Sequence, residues 1–179
     1  MTVRTLCLTS DTELWAVQPF CYFYQKYYPS ADVLIAGFKP PAFPIPYPFL
    51  SLGDIRDYPY AKWSDGLAMA LNSIPDDVVL LMLEDFWVTR TVDAEAIELL
   101  AQFMRENPVV TRCCVCTDRL YARNLSDVGT YGRLDIISNA YPVEYAMSFQ
   151  PSLWRRTELL RYLIPNENPH EVEINGTRR

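Results

Sequence analysis

Asp77-Val78-Val79-Leu80-Leu81-Met82-Leu83-Glu84-Asp85-Phe86-Trp87 is an apolar run that stops at two adjacent acids. Its length, its Val and Leu content and the Pro75-Asp76-Asp77 boundary ahead of it predict a strand buried on both faces, as in a sheet covered by helices. Carboxylates do not belong inside such a sheet. They fit at its carboxyl end, where ligand crevices of open α/β sheets form. Glu84 and Asp85 are therefore the first candidates for holding a metal or a charged substrate.

Working outward, Val3 to Leu8 reads as a short strand ending in the polar loop Thr9-Ser10-Asp11. Pro19 is suited to the first position of a helix, Phe20, Phe23, Tyr24 and Tyr27 recur at helical spacing, and Pro29 ends the pattern. Asp32 to Phe38 is a second buried strand, which completes a βαβ unit. The segment from Lys39 to Pro48 is too rich in proline for a helix or a central strand. It is expected as an extended loop whose Phe43, Ile45 and Tyr47, with Phe49 beyond, pack it onto its own domain.

Trp63, Leu67, Ala70, Leu71 and Ile74 mark one face of a helix opened by Ser64 or Asp65 and ended near Pro75. Asp93 is expected to cap another helix, with Ile97, Leu100, Phe103 and Met104 on one face and Asn107-Pro108 as its stop. Beyond it, Val109 to Thr117 reads as a strand and Asp118 to Asn139 as a loop-rich region. Tyr145 to Phe149 reads as the last strand, followed by a helix capped by Ser152 and running through Leu163. The remainder, Asn166 to Arg179, reads as a polar extended tail that carries Glu171 and Glu173 on one side. The predicted fold is α/β, one domain with a mostly parallel central sheet flanked by helices.

Composition narrows the function. With 179 residues, half of them hydrophobic, the chain suits one domain with a real core. No apolar stretch approaches the ~20 residues of a membrane span. Nothing at the amino terminus resembles a signal peptide, so a cytoplasmic location is expected. A net charge of −6 disfavours a broad nucleic-acid surface. The five cysteines, three of them in Cys113-Cys114-Val115-Cys116, fit reduced thiols in a buried strand better than a disulfide framework. His170 is the only histidine, which weakens both a zinc site and a histidine-assisted nucleophile.

No dinucleotide-binding G-x-G-x-x-G, phosphate loop or G-x-S-x-G elbow is present. Carboxylate and metal chemistry is what remains. Asp85 is the candidate direct ligand of Mg2+ or Mn2+, hard cations that share oxygen ligands with a diphosphate, and Glu84 the candidate outer-sphere or substrate contact. Equally open is a solvated loop that merely begins at Glu84-Asp85.

Thr9-Ser10-Asp11 after the first strand, Lys62-Trp63-Ser64-Asp65-Gly66-Leu67 opening the helix, and Leu83-Glu84-Asp85-Phe86 followed by Val92-Asp93 resemble bacterial glycosyltransferases of the A-type (GT-A-like) fold. The nearer likeness is to enzymes of capsule and lipopolysaccharide synthesis. Ser148-Phe149-Gln150-Pro151-Ser152-Leu153-Trp154-Arg155 and Glu167-Asn168-Pro169-His170-Glu171-Val172-Glu173 are similar to that family's closing segment. The resemblance implies a nucleotide-sugar donor lying over the first strands, with residues 1–90 as the donor half and 91–179 as the acceptor half.

By that resemblance Thr9 and Asp11 contact the nucleoside, and Trp63, Ser64, Asp65 and Glu84 complete the donor site. Asp85 bridges the diphosphate through the metal. Glu173, or Glu171, is the base that deprotonates a saccharide or other hydroxyl acceptor. For Trp63 a core role, for Ser64 and Asp65 plain helix capping, and for the two glutamates a solvated tail are the competing readings. Arg155 and Arg156 are further candidates for neutralising a diphosphate.

The implied function is sugar transfer from a nucleotide-sugar donor to a hydroxyl, in surface polysaccharide synthesis. Alternatives are a phage-type enzyme glycosylating hydroxymethylated DNA bases, with nucleic acid as acceptor, and a nucleotide-sugar-binding module without turnover. A nucleotidyltransferase ranks last, because the glycine-rich loop such enzymes carry after the first strand is absent here.

Overall fold

In a computed structural model describing residues 2–116, 125–139 and 145–179, the chain opens with β1 (Arg4–Leu8), α1 (Leu14–Tyr27), β2 (Asp32–Gly37) and β3 (Phe49–Ser51). There follow α2 (Trp63–Asn72), β4 (Val78–Leu83), α3 (Ala94–Glu106) and β5 (Arg112–Cys114). A hairpin of β6 (Leu125–Tyr131) and β7 (Leu134–Asn139) precedes β8 (Ser152–Arg155), α4 (Arg156–Tyr162) and α5 (Pro169–Arg178). The main sheet has the order β3-β2-β1-β4-β8-β5. Its first four strands are mutually parallel, while β8 runs antiparallel to both β4 and β5. The expected α/β architecture, a mostly parallel sheet flanked by helices, is the one found.

β4 lies inside this sheet because both of its faces are apolar. Val78, Leu80 and Met82 join α1 and α3 in one half of the core, and Val79 and Leu81 join α2, α4 and α5 in the other, all at most 3 % exposed. Each such side chain contributes about 1.5–3 kcal/mol by leaving water, which is why the run is a strand with neither edge exposed. Phe43, Ile45, Tyr47 and Phe49 do fasten the proline-rich loop against the first half of the core. Asp93 caps α3 as expected, accepting from the Ala96 amide at 3.0 Å.

Several local expectations are corrected. Pro19 lies within α1 and does not open it, because burial of Ala16 and Val17 carries the helix one turn upstream. Phe49–Ser51, just past the segment read as loop, forms a short parallel edge strand that the sequence reading did not include. Part of the region read as loop, 125–139, is a hairpin with a bulge between Asp127 and Gly129 and a turn at Gly132, whose φ of 57° suits glycine. Residues 118–124 of that stretch, and Thr117 at the end of the strand expected before it, lie outside those described. β5 is shorter than Val109 to Thr117, since Val109 is 91 % exposed.

Tyr145 to Phe149 is not a strand; Tyr145 itself has a φ of 56°. The strand is Ser152–Arg155, where a helix start was expected. Ser152 and Leu153 are fully buried between β4 and β5, and the Ser152 hydroxyl donates to the Gln150 carbonyl at 2.7 Å. The tail folds as α5, started by Pro169 at its first turn and by a reciprocal capping box of Asn168 and Glu171. Among the described residues no helix is long and apolar enough to cross a membrane.

Candidate active site

β1 feeds β2 through α1 on one face of the sheet, whereas α2 leads into β4 from the other. The connections therefore diverge at the carboxyl ends of β1 and β4, which is the switch point where an open α/β sheet leaves a crevice. A cavity of about 480 Å³ opens there. Its walls bring together Thr9, Ser10, Thr12 and Glu13 after β1, Trp63 from α2, and Glu84 and Asp85 after β4. Phe38, Tyr58, Tyr60 and Pro169 complete the rim.

Thr9 is buried, and its amide donates to the Ala36 carbonyl at 2.9 Å. The fit is close: a Cβ added to Gly37 would stand 2.7 Å from the Thr9 methyl. Asp11 is turned to the loop after β2, where its Oδ1 accepts from the Lys39 amide at 2.9 Å, and it is not in the cavity wall.

β4 ends in a turn closed by the Phe86 amide on the Leu83 carbonyl at 3.1 Å, and the Trp87 indole donates to the Glu84 carbonyl at 2.9 Å. This turn separates the two acids. Glu84 is 7 % exposed at the floor, and Asp85 is exposed at the mouth. Burial, reinforced by the negative charges of Asp85 and Glu13, pushes the Glu84 carboxyl up to about 8. At neutral pH it is a protonated acid, able to donate a hydrogen bond.

Trp63 is half-buried and meets Phe149 edge-on, with ring centroids 4.6 Å apart, so it is both a cavity wall and a core residue. Ser64 and Asp65 have different work. The Ser64 hydroxyl donates to the Ile164 carbonyl at 2.7 Å and accepts from the Glu167 amide at 3.1 Å, while its own amide donates to the Glu167 carbonyl at 3.0 Å. Asp65 accepts from the Asn166 amide at 2.8 Å. These two residues, expected at the donor site, latch the 164–167 turn onto the start of α2. They are not its cap, a position held by Lys62.

Glu171 and Glu173 do not line the cavity. On α5 residues two apart point roughly 200° away from each other at 3.6 residues per turn, which corrects the expectation of a shared side. Glu171 closes the capping box, and Glu173 accepts from the Phe149 amide at 2.7 Å. Arg155 and Arg156 sit at the amino-terminal end of β4, opposite the crevice. Arg155 donates to the Met104 carbonyl, and Arg156 to that of Asp76 at 2.8 Å.

Glu13, Phe38, Tyr58 and Tyr60 were not legible as site residues. Phe38 and Tyr58 stack with centroids 5.5 Å apart, and Tyr60 is 61 % exposed beside them. The only sequence signal was an aromatic density around the proline-rich loop. Among the described residues no three His, Cys, Asp or Glu stand together as a ready-made metal cage. Asp85 offers a single exposed carboxylate at the end of β4, a donor suited to a cation such as Mg2+ whose remaining ligands are water and substrate phosphates.

No family model and no curated protein matches the chain. Among solved structures it is similar to residues 1–349 of S. aureus TarS, at 11 % identity and a TM-score of 0.56, over 99 % of this chain and 54 % of that one. The chain thus spans about half the length of that structure. It is also similar to a CMP:2-keto-3-deoxy-manno-octonic acid synthetase complexed with CTP, at 15 % identity and a TM-score of 0.49, over 96 % of this chain and 82 % of that one. The likeness to TarS shows a fold in common, the mixed α/β sandwich described above.

Proposed function

We propose that this chain transfers a sugar from a nucleotide-sugar donor to a hydroxyl acceptor, with surface polysaccharide as the setting. The observation that carries this reading is the convergence of Thr9, Trp63, Glu84 and Asp85 in one crevice at the switch point of the sheet. Tyr58, Tyr60 and Phe38 offer faces on which a base can stack. Thr9 and Ser10 supply hydroxyls for the ribose.

Asp85 would hold Mg2+ or Mn2+ together with the donor diphosphate, and the cation would supply positive charge for the departing phosphate oxygens. Glu84, protonated in its buried position, would donate a hydrogen bond to the donor from below and add no further negative charge, beside those of Asp85 and Glu13, to a site that must accept a diphosphate. The proton acceptor for the incoming hydroxyl is the exposed Glu13, which already accepts from the Trp15 indole at 2.9 Å. It takes the place of Glu171, engaged in the capping box of α5, and of Glu173, engaged by the Phe149 amide. Residues 1–90 supply nearly all of this crevice, in keeping with a donor half; 91–179 as the acceptor half is part of the same proposal.

The test is release of nucleoside diphosphate from a panel of nucleotide sugars with manganese present. Turnover that Asp85→Ala abolishes supports transfer. A second reading, a nucleotide-sugar-binding module without turnover, is favoured by the engagement of Glu171 and Glu173 in structural bonds. It predicts saturable donor binding by calorimetry and no release with any donor or acceptor.

A further inference from the structure

Cys113, Cys114 and Cys116 stand at the β5 edge of the main sheet. Alternation along the strand sends Cys113 to one face, where it packs against the core shared by α1 and α3. Cys114 points to the other face, and Cys116 follows just beyond the end of β5. There the two sulfurs lie 3.0 Å apart, with Cys114 exposed and Cys116 half-buried. That contact is only about 1 Å longer than a disulfide bond of about 2.0 Å. The intervening Val115 is fixed by its amide, which donates to the Pro151 carbonyl at 2.9 Å.

Nearby stands a fixed cation. Arg112 donates to the Ser152 hydroxyl at 2.9 Å and to the Ala146 carbonyl at 3.0 Å, and its guanidinium is within electrostatic reach of Cys113, Cys114 and Cys116. The other three thiols are placed differently. Cys7 and Cys21 are buried in the core, and burial pushes the Cys113 thiol up to about 11.

We propose that Cys114 and Cys116 form a reversible dithiol/disulfide pair, a modification site that takes its oxidising equivalents from a small-molecule disulfide. The Cys114 thiolate attacks one sulfur of the small disulfide, whose S–S bond breaks and releases one thiolate. The Cys116 thiolate then attacks Cys114 Sγ, the mixed disulfide breaks, and the second small thiolate leaves. Two protein thiols are oxidised to one disulfide while the small disulfide is reduced to two thiols, which take up the two protons released. Because Val115, Cys116 and Pro151 line a second cavity of about 480 Å³ beneath α1 and α3, closing the pair fixes one wall of that cavity.

The experiment treats the intact protein with oxidised glutathione, quenches with acid, and alkylates under denaturing conditions. Thiol titration is expected to fall by two. The tryptic peptide Cys113–Arg119 is expected to lack the mass of two hydrogens and to carry a single alkyl group, which fragmentation places on Cys113. Cys113→Ser should behave as the parent, whereas Cys116→Ser should stop as the glutathione adduct of Cys114. Three alkylated cysteines in the parent peptide, a lasting glutathione adduct in the parent, or pairing through Cys113 each overturns the proposal. The parent measurement decides the matter even where a variant fails to fold.

Discussion

Glu84→Gln should remove most of the pH dependence that the crevice imposes on stability. Glu84 is 7 % exposed, and burial carries its carboxyl from an ordinary 4.5 to about 8. The folded chain therefore binds a proton that the unfolded chain has already released across this interval. Its contribution to stability is fully present below pH 4.5 and is lost as the pH rises through 8. At about 1.4 kcal/mol for each pH unit, the loss between pH 5 and 8 comes to about 4 kcal/mol. A domain of this kind holds only ~5–15 kcal/mol in all. Glutamine keeps the shape of the protonated acid and does not titrate.

Urea unfolding of both proteins at intervals from pH 5 to 9 supplies the measurement, read as the difference between the two free energies so that groups common to both cancel. The parent should lose ground steadily to the variant up to pH 8 and hold a constant offset above it. Parallel profiles would refute the reasoning, since they would mean that Glu84 is solvated and ionised in the folded state. Manganese held at Asp85 should leave the onset near 4.5 and bring the levelling-off to a lower pH in the parent only, because a cation nearby favours the ionised Glu84 carboxyl.

Asp85→Ala should lower donor turnover by about 100-fold or more, while urea unfolding changes by less than ~0.5 kcal/mol because the side chain is exposed. Ser64→Ala removes the bonds to Ile164 and Glu167 and should cost about 1–3 kcal/mol. Calorimetry of that variant should find donor affinity unchanged. Gly37→Ala drives a methyl to within 2.7 Å of Thr9 and 3.2 Å of its carbonyl. It should cost about 1–3 kcal/mol and weaken nucleotide binding, because the displaced Thr9 forms the crevice floor.

The parts of the molecule legible in sequence are those where pattern and burial coincide. β4 is apolar on both faces because both faces are covered, and α2 and α3 show one apolar stripe each because one side of each is covered. The failures have a different origin. Ser152-Leu153-Trp154-Arg155 has the composition of a helix start, and only its insertion between β4 and β5 makes it a strand. Pro19 offered a helix boundary, yet the buried Ala16 and Val17 ahead of it outweigh one missing amide bond. α5 did announce itself, through Asn168-Pro169-His170-Glu171, but its polar surroundings masked the signal.

The crevice illustrates the same division more sharply. Its floor, Thr9 and Glu84, and the exposed Asp85 at its mouth were predictable because they follow directly from where strands end. Its rim was not, because Phe38, Tyr58 and Tyr60 reach it from loops whose course depends on the proline-rich segment being pinned to the core. The two adjacent acids show how little spacing alone decides. One peptide unit separates Glu84 from Asp85, but the turn after β4 leaves the first as a buried neutral donor and the second as an exposed anion. Under the proposed function such a site has use for both: one carboxylate to share a cation, and a neighbour that withholds its charge until the pH approaches 8. Interchanging the pair as Glu84→Asp with Asp85→Glu keeps composition, yet shortens the floor acid and lengthens the rim acid, and it should weaken donor binding because the reach of each carboxyl and the burial that keeps the floor acid neutral both change.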